Sequence, residues 1–260
     1  MGPLLSKLSS TLTMTSLPTL SLPILPTPPP FPDASATHIT QSYIWPRLGD
    51  FLRSGDVLIN DTGTAAFGLP DATFPPSIHY ICQTYYGSIG YATPCALGSE
   101  LALREEHAKD PSKPRRRTVL VTGDGSLQLT IQEIGTMVAQ KLQPLIVIIN
   151  NAGYTIERAI HGARAQYNDI APYNYSAMLT LFSPPADAAN THKRYREART
   201  KEELEAALGD GNFVDPKEVR VLEVHMDKLD IPWRLARLLM NRDVGFKKYL
   251  SCEGFTNSGE

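Results

Sequence analysis

Two short polar segments of this sequence carry residue types that can bind a divalent cation and a phosphate group. The first is Gly-Asp-Gly at residues 123–125, and the second, after a further 24 residues, is Asn150-Asn151 with Gly153 close behind. Asp124 and Asn151 offer the hard side-chain oxygens that Mg²⁺ prefers, and the main-chain carbonyl of Gly153 would add a third. Each segment alone is typical of an ordinary turn, so the indication of a site depends on their occurring together.

Both segments stand where a strand is expected to end. Apolar runs at residues 118–124 and 144–151 predict two buried strands, with an amphipathic helix over about 130–141 between them. Neighbouring parallel strands would bring the two segments to the same edge of a sheet, which is where ligands bind in such folds. Ser126 would add a hydroxyl and an N–H just ahead of a helix, a position that favours a phosphate group.

Further strands and helices alternate through the rest of the chain. Short apolar strands alternating with helices predict an α/β fold of three layers, in which a mostly parallel sheet is covered by helices on both faces. The other predicted strands cover residues 56–61, 78–84 and 219–226. The other predicted helices cover residues 43–52, 90–107, 176–182 and 201–210, and a last helix begins at Trp233. A polar loop is predicted at residues 183–190.

The first 38 residues differ from the rest in composition. Eight prolines lie within residues 1–32, where Lys7 is the only charged side chain. Proline at this density is expected to exclude helices and strands, so residues 1–38 are interpreted as a disordered or extended linker. Residues 39–250 then form one domain and residues 251–260 a tail. A transit peptide is the alternative for this Ser/Thr-rich segment, but it lacks the arginines of such a peptide.

Composition excludes several classes of protein. The 260 residues include 25 basic and 27 acidic side chains, a formal net charge of −2, which argues against a nucleic-acid-binding arm. Three cysteines are too few and too scattered for a disulfide framework or a cysteine zinc site. The longest apolar run, residues 144–149, is too short to span a bilayer. We expect a soluble, cytoplasmic protein with neither nucleic acid nor a membrane as partner.

Several segments together resemble the pyruvate decarboxylase family of thiamine-diphosphate-dependent enzymes. The resemblance covers residues from about 39 to about 230, in the order and at the spacing of that family. It corresponds to the family's C-terminal, diphosphate-binding domain and therefore implies the thiamine-diphosphate-binding fold. The segments that carry it are GDVLINDTGTAAFG, YYGSIGYATPCALG, GDGSLQLTIQEIGTM, NNAGYTIERAIHG and AQYNDIAPYNYSAMLTLF.

The resemblance implies that the two polar segments hold Mg²⁺ and thiamine diphosphate. Asp124, Asn151 and the carbonyl of Gly153 would be the metal ligands. Gly125 and Ser126 would meet the diphosphate. These assignments give the glycine-rich turn and the asparagine pair one shared task.

The resemblance also implies roles for residues around the organic part of the cofactor. Ile89 would be the apolar wedge that bends the cofactor, and Gly87 would offer its carbonyl to the 4′-amino group, with Ser88 between them in the cofactor-binding loop. Glu157 would be the catalytic carboxylate that faces the substrate. The remaining residues of the predicted cofactor pocket are Thr64, Tyr154, Thr155 and Ile156.

Plainer explanations exist for three of the side chains in these segments. Ile89 could be an ordinary core isoleucine, which is the commoner case for this residue type. Glu157 could be a helix N-terminal glutamate stabilised by the helix dipole. His161 is a possible acid, but the resemblance gives it no role, so we interpret it as a packing histidine.

The function implied is the decarboxylation of a 2-oxo acid, with pyruvate giving acetaldehyde and CO₂. Relatives that act on indolepyruvate or phenylpyruvate are the alternative. Members of the family are homo-oligomers, either dimers or tetramers, and also contain a pyrimidine-binding domain and a middle domain. Nothing before Ile39 is expected to encode these domains. We therefore expect this chain to supply only the diphosphate-binding half of the site and to lack part of the interface between subunits. The competing hypothesis is that the chain is a cofactor-binding fragment without catalytic activity.

Two positions near the predicted ligands depart from the family pattern. Asp61 stands where glutamate is usual before Thr-Gly-Thr, and Ala152 stands where an acidic residue is common. Neither change removes a predicted ligand. The segment after Phe182 also differs, so we expect a remodelled loop there.

Overall fold

A single sheet of six parallel strands forms the centre of the domain. The computed structural model describes residues 2–11, 35–243 and 245–256. The strand order across the sheet is β2-β1-β3-β4-β6-β5, and every neighbouring pair is parallel. The strands are β1 Val57–Asn60, β2 His79–Ile81, β3 Thr118–Gly123, β4 Leu145–Asn150, β5 Tyr195–Ala198 and β6 Arg220–His225.

Helices cover both faces of this sheet, which confirms the predicted α/β fold of three layers. None of the helices in the described ranges has both the length and the apolar character needed to cross a membrane. The helices are α1 Gly2–Thr11, α2 Gln41–Phe51, α3 Thr64–Gly68, α4 Ala92–Lys109, α5 Asp124–Leu127, α6 Gln132–Ala139, α7 Thr155–His161, α8 Met178–Phe182, α9 Lys201–Gly209, α10 Gly211–Val214, α11 Trp233–Arg242 and α12 Gly245–Glu253.

The core consists of two apolar layers, one on each side of the sheet. In β3, Val119 and Val121 join the layer made with α2 and α9, whereas Leu120 joins the layer made with α4, α6 and α8. Successive side chains of a strand point to opposite faces, so a strand buried on both sides is a continuous apolar run. This is why the sequence predicted β1, β3 and β4 correctly, whereas β6 was predicted from the apolar residues on either side of Glu223.

A third, smaller apolar cluster joins the end of the chain to α7. Ala159 on α7 packs in this cluster with Leu235 and Leu239 of α11 and Leu250 of α12. Phe255 is also buried there, at 4 % exposure. The chain that was predicted to be a tail is therefore part of the domain as far as residue 256, and residues 257–260 lie outside the described residues.

Two segments differ from the sequence predictions. Residues Gly2–Thr11 form an exposed helix, so the expectation of a helix-free start was wrong for these residues. Pro3 is the only proline in this range, and it lies in the first helical turn, where the missing N–H has no consequence. The rest of the predicted linker, residues 12–34, falls outside the described residues.

The second difference is the edge strand β5, which the sequence did not predict. Its Tyr-Arg-Glu-Ala sequence contains one fully buried residue, Ala198, so it has no apolar run. The predicted polar loop before it is largely a 3₁₀ helix, Pro185–Arg194.

A close contact between α2 and α3 fixes the position of α3, the helix that begins at the predicted site residue Thr64. The Trp45 indole is 1 % exposed, and its N–H donates to Gln41 Oε1 at 2.8 Å. A Cβ added at Gly68 would lie 1.9 Å from the indole nitrogen, so only glycine lets α3 approach this ring. Since α3 begins at Thr64, this contact sets the position of a predicted cofactor-site residue.

We predict that Gly68→Ala lowers the free energy of unfolding by about 3 kcal/mol, because the added methyl overlaps a fully buried ring. Gly98→Ala is the matched control, since nothing lies within 4 Å of a Cβ there. That change lies in the interior of α4 and should leave stability unchanged or raise it by up to about 1 kcal/mol. Urea unfolding of both variants tests this, and equal stabilities would contradict it.

Candidate functional site

A cavity opens at the carboxyl ends of β1 and β3. Strands β1 and β3 are neighbours in the sheet, and β2 and β4 lie on opposite sides of this pair in the strand order. The chain therefore turns away from β3 when it leaves β1, and away from β1 when it leaves β3. This leaves a crevice between the ends of the two strands. The cavity encloses about 140 Å³. Its walls come from the chain after β1, β3 and β4 and from the loop that follows β2.

Twelve of the thirteen predicted site residues line this one cavity. They are Thr64, Gly87, Ile89, Asp124, Gly125, Ser126, Asn151, Gly153, Tyr154, Thr155, Ile156 and Glu157. The thirteenth, Ser88, lies in the adjoining loop, where its carbonyl accepts a hydrogen bond from Thr62 Oγ1 at 3.1 Å. The individual roles of these residues stay predictions, but their placement in a common site does not depend on those roles.

Four further residues line the cavity that the sequence analysis did not assign to it: Thr62, Gly63, Phe67 and Gly123. Thr62 and Gly63 belong to the Asp-Thr-Gly-Thr segment, so the motif itself pointed to them. Phe67 follows Thr64 on α3 and had no signal of its own in the sequence.

Asp124 connects the ends of two neighbouring strands. Its carboxylate is 2 % exposed and accepts the N–H of Gly125 at 2.9 Å through Oδ1. Through Oδ2 it accepts the N–H of Gly153 at 3.0 Å, which joins the end of β3 to the chain after β4. Burial raises the pKa of Asp124 from 3.8 to about 6, against the lowering effect of these N–H donors.

The turn at residues 150–153, which we call the 150–153 turn, has an unusual backbone. Ala152 has φ +57, a left-handed conformation that costs an L-residue about 1–2 kcal/mol. Asn150 Oδ1 accepts the Ala152 N–H at 3.2 Å, and Arg158 Nη2 donates to the Ala152 carbonyl at 2.8 Å. At Gly153, φ is +125 and an added Cβ would lie 2.2 Å from the Asn168 carbonyl oxygen, so glycine is required.

Asn151 differs from Asp124 in having no partner for its side chain. It is 4 % exposed and lines the cavity, yet its amide makes no hydrogen bond with any residue in the described part of the chain. The amide atoms are not among the fully enclosed polar atoms that lack a partner in the described residues, so they are open to the cavity, where a ligand would reach them. The described part of the chain contains no cluster of three or more His, Cys, Asp or Glu side chains that could hold a metal. A cation here would therefore need amide and carbonyl oxygens beside one carboxylate.

Asp61 ties two loops around the cavity to the end of β3. Its Oδ1 accepts the N–H groups of Thr62 at 2.9 Å and of Gly90 at 3.1 Å, and its Oδ2 accepts the hydroxyl of Thr122 at 3.2 Å. Burial raises the pKa of this carboxyl, while the same hydrogen bonds lower it. Aspartate at this position therefore organises the site from behind rather than from within the cavity.

The structure also bears on the plainer explanations of Ile89 and Glu157. Ile89 is only partly buried and lies in the cavity wall, outside the apolar clusters of the described residues, so it is not an ordinary core isoleucine. Glu157 lies in the first turn of α7 and also lines the cavity, so its helix-terminal position is confirmed and its catalytic role stays a prediction.

His161 is not a packing residue, contrary to the sequence interpretation. Its side chain is 60 % exposed, and its Nε2 lies 3.3 Å from Glu157 Oε2. The two residues are four positions apart on α7, which places them on the same face of the helix. Exposure of this kind depends on which elements cover the helix, and the local sequence does not reveal it.

Residues from distant parts of the chain hold α7 in place. Arg158 is 1 % exposed, and its Nη2 donates to Asp169 Oδ1 at 2.7 Å as well as to the Ala152 carbonyl. The Tyr249 hydroxyl on α12 donates to the Arg158 carbonyl at 3.0 Å and accepts the Ala163 N–H at 2.9 Å. These contacts fix the helix that carries Glu157.

The fold is similar to that of a solved decarboxylase structure. Benzoylformate decarboxylase from Polynucleobacter necessarius superposes with a TM-score of 0.56, over 71 % of this chain and 32 % of that one. The two sequences are 20 % identical, so this likeness concerns the fold alone.

Sequence comparison shows the family. Residues 61–224 match the profile described as thiamine pyrophosphate enzyme, C-terminal TPP binding domain. The chain therefore belongs to the thiamine pyrophosphate enzymes, as their C-terminal TPP-binding domain, and the resemblance stated from the motifs is confirmed. Membership implies thiamine diphosphate as the cofactor, with Mg²⁺ as its usual partner metal.

Pyruvate decarboxylases from fungi are among the similar proteins. Isozyme 2 of Saccharomyces cerevisiae is 40 % identical over 77 % of this chain and 34 % of its own length. A putative pyruvate decarboxylase of Schizosaccharomyces pombe is 43 % identical over 76 % of this chain and 33 % of its own length. The pyruvate decarboxylase of Aspergillus parasiticus is 40 % identical over 81 % and 37 %. The chain spans about a third of the length of these curated relatives.

We predict that Asp124 makes the ligand-free protein less stable as the pH rises. Its native pKa of about 6 exceeds its ordinary 3.8, so the native state binds more protons than the unfolded state between these values. Its contribution to the free energy of unfolding therefore falls by about 3 kcal/mol as the pH rises through that interval.

Asp124→Asn cannot titrate and is the comparison that isolates this effect. The free energy of unfolding of the variant minus that of the wild type should increase between about pH 4 and about pH 7. Urea unfolding at both pH values measures the difference, in which all other titrating groups cancel. A difference that is constant with pH would show that the carboxyl is not perturbed.

Proposed function

We propose that this chain provides the diphosphate- and metal-binding half of a site that decarboxylates a 2-oxo acid without oxidation. Pyruvate, giving acetaldehyde and CO₂, is the substrate we favour, because the relatives described above are pyruvate decarboxylases at 40–43 % identity. The observation that carries the proposal is the set of oxygen donors around one cavity, which includes the Asn151 amide, open to the cavity and without a hydrogen-bond partner among the described residues.

The charge of the cavity explains why a metal would be needed. Among the described residues, the sixteen that line it include the acids Asp124 and Glu157 but no lysine, arginine or histidine. A bare diphosphate would meet neutral N–H and hydroxyl donors and two acidic side chains, but no cationic side chain of these residues. A divalent cation would supply the missing positive charge and join the carboxylate to the phosphate oxygens.

The residues present fit this metal and this cofactor. Asp124, Asn151 and the Gly153 carbonyl would hold Mg²⁺, since each carboxylate oxygen of Asp124 accepts one N–H and retains a further lone pair. The N–H groups of Gly125 and Ser126, at the start of α5, would meet phosphate oxygens. This is the donor chemistry of a magnesium–diphosphate site, in which phosphate and water complete the coordination.

The remaining residues of the cavity would shape the space for the substrate. Thiamine diphosphate, when bound, supplies the electron sink for the bond broken in decarboxylation. Phe67, Ile89 and Ile156 would form apolar walls that keep water from the reacting atoms. The Glu157 carboxyl would deliver the proton that replaces the lost carboxylate on the former keto carbon.

We predict that thiamine diphosphate binds to the purified chain only when Mg²⁺ is present. Isothermal calorimetry should give a binding heat with both ligands and none with the cofactor alone, because the cavity lacks a cationic side chain. Asp124→Ala should weaken the affinity by more than about tenfold, since it removes the charged metal ligand.

Asp187→Ala is the control for this titration. Asp187 is an exposed aspartate in the 3₁₀ helix Pro185–Arg194 and lies outside the cavity lining. Its removal should leave the heat unchanged. Equal heats from the wild type and from Asp124→Ala would remove Asp124 as a ligand, and binding without Mg²⁺ would refute the charge argument.

We also predict that the chain by itself releases no measurable acetaldehyde from pyruvate with Mg²⁺ and thiamine diphosphate present. The family resemblance assigns the glutamate that activates the cofactor to a separate pyrimidine-binding domain. Glu157 would then be the one carboxylic acid among the described cavity-lining residues that is free of the metal. A coupled aldehyde assay measures the rate, and Asp124→Ala controls for contaminating enzyme. Turnover that is lost in Asp124→Ala would show that this chain is catalytically sufficient.

A further inference from the structure

A buried carboxylate lies on the side of the 150–153 turn that faces β6. Glu223, in β6, is 4 % exposed, and both of its carboxylate oxygens accept hydrogen bonds. The Tyr195 hydroxyl donates to Oε2 at 2.5 Å, and Asn150 Nδ2 donates to Oε1 at 2.6 Å. Hydrogen bonds to an ionised acceptor are the strong ones in proteins, so this carboxylate holds both partners firmly.

The contact with Glu223 determines which way the Asn150 amide points. A carboxylate can only accept, so the NH₂ group of Asn150 must face it. The amide oxygen is then left facing the Ala152 N–H, from which it accepts at 3.2 Å. With the opposite amide orientation, the NH₂ group would meet that N–H, and two donors would face each other.

The 150–153 turn needs this restraint because its backbone is strained. Ala152 holds φ +57, a conformation that an alanine keeps only where its surroundings determine it. Asn150 holds the N–H of Ala152, while Arg158 holds its carbonyl. The residues on either side of Ala152 are Asn151 and Gly153, both in the wall of the cavity.

We propose that Glu223 is a positioning residue for the 150–153 turn and acts through the Asn150 amide. Its task is to hold Asn151 and Gly153 in their places in the cavity wall. The consequence for cofactor affinity rests on the proposed function, whereas the effect on the turn does not.

The same polar cluster provides a matched control. Glu197 on β5 lies 3.1 Å from His225 Nε2, which in turn lies 3.3 Å from Glu223 Oε1. Glu197 also pairs with Arg199, and its side chain is 40 % exposed. It is thus a glutamate of the same cluster that makes no contact with Asn150.

The first measurement is hydrogen exchange at the Ala152 N–H in the ligand-free protein, followed by NMR. Glu223→Leu, which has no acceptor for the Asn150 amide, should speed this exchange by about tenfold, which corresponds to the loss of one net hydrogen bond. Glu197→Leu should leave it unchanged. Asn150→Asp keeps an oxygen for the Ala152 N–H but loses the donor to Glu223, so it should match Glu223→Leu and serves if that variant does not fold.

The second measurement is the affinity for thiamine diphosphate with Mg²⁺, by calorimetry. Glu223→Leu should weaken it by about tenfold or more, as the loss of a hydrogen-bond partner behind a metal ligand does. Thermal unfolding of both leucine variants separates this effect from a general loss of stability.

The two measurements distinguish the two proposals. If the wild type binds no cofactor, the proposed function fails, and hydrogen exchange alone decides the role of Glu223. Wild-type exchange at Ala152 in folded Glu223→Leu or Asn150→Asp would overturn the positioning role. An equal effect of Glu197→Leu would overturn it too, because it would reduce the result to a general property of the cluster.

Discussion

The carboxylate of Asp124 is the point at which the sheet and the site depend on each other. Parallel pairing sets Gly123 opposite Ile149, so the ends of β3 and β4 lie level, and Asp124 then reaches the N–H of Gly153. Burial makes this carboxylate costly to ionise, as its raised pKa shows. A cation that binds its oxygens would offset that cost, so ligand binding and the stability of the fold are coupled through one side chain.

Buried polar side chains extend the same arrangement around the cavity. Asp61 holds main-chain N–H groups in two loops, Arg158 holds main-chain carbonyls in two others, and Glu223 orients the amide of Asn150. Loops at a sheet edge have no ladder to satisfy their backbone groups, and these side chains supply the missing partners. The cavity is therefore shaped by fixed hydrogen bonds to the backbone, and not by the packing of apolar side chains alone.

The sequence predicted what depends on local pattern and missed what depends on distant contacts. The strands β1, β3 and β4 were predictable because burial on both faces requires continuous apolar residues. Strand β6 keeps most of that pattern on either side of Glu223, whereas the edge strand β5 lacks it. The cavity residues were predictable because they adjoin strand ends within recognisable motifs. Arg158, Tyr249 and Glu223 were not, since their roles arise from tertiary packing that brings them to those strand ends. The exposure of His161 had no local signal for the same reason.

The position of β6 between β4 and β5 has a consequence for the order of folding. The strands whose ends line the cavity, β1, β3 and β4, are all synthesised before β6, yet the sheet is complete only when β6 inserts between two earlier strands. Edge strand β5 pairs with β6, and Asn150 acquires its carboxylate partner from the same strand. During synthesis, the strands around the cavity therefore leave the ribosome before residue 223 does. The 150–153 turn gains the hydrogen bond between Asn150 and Glu223 only after that residue has emerged. Pairing between strands distant in sequence is slow, so we expect the cavity to reach its final shape late in folding.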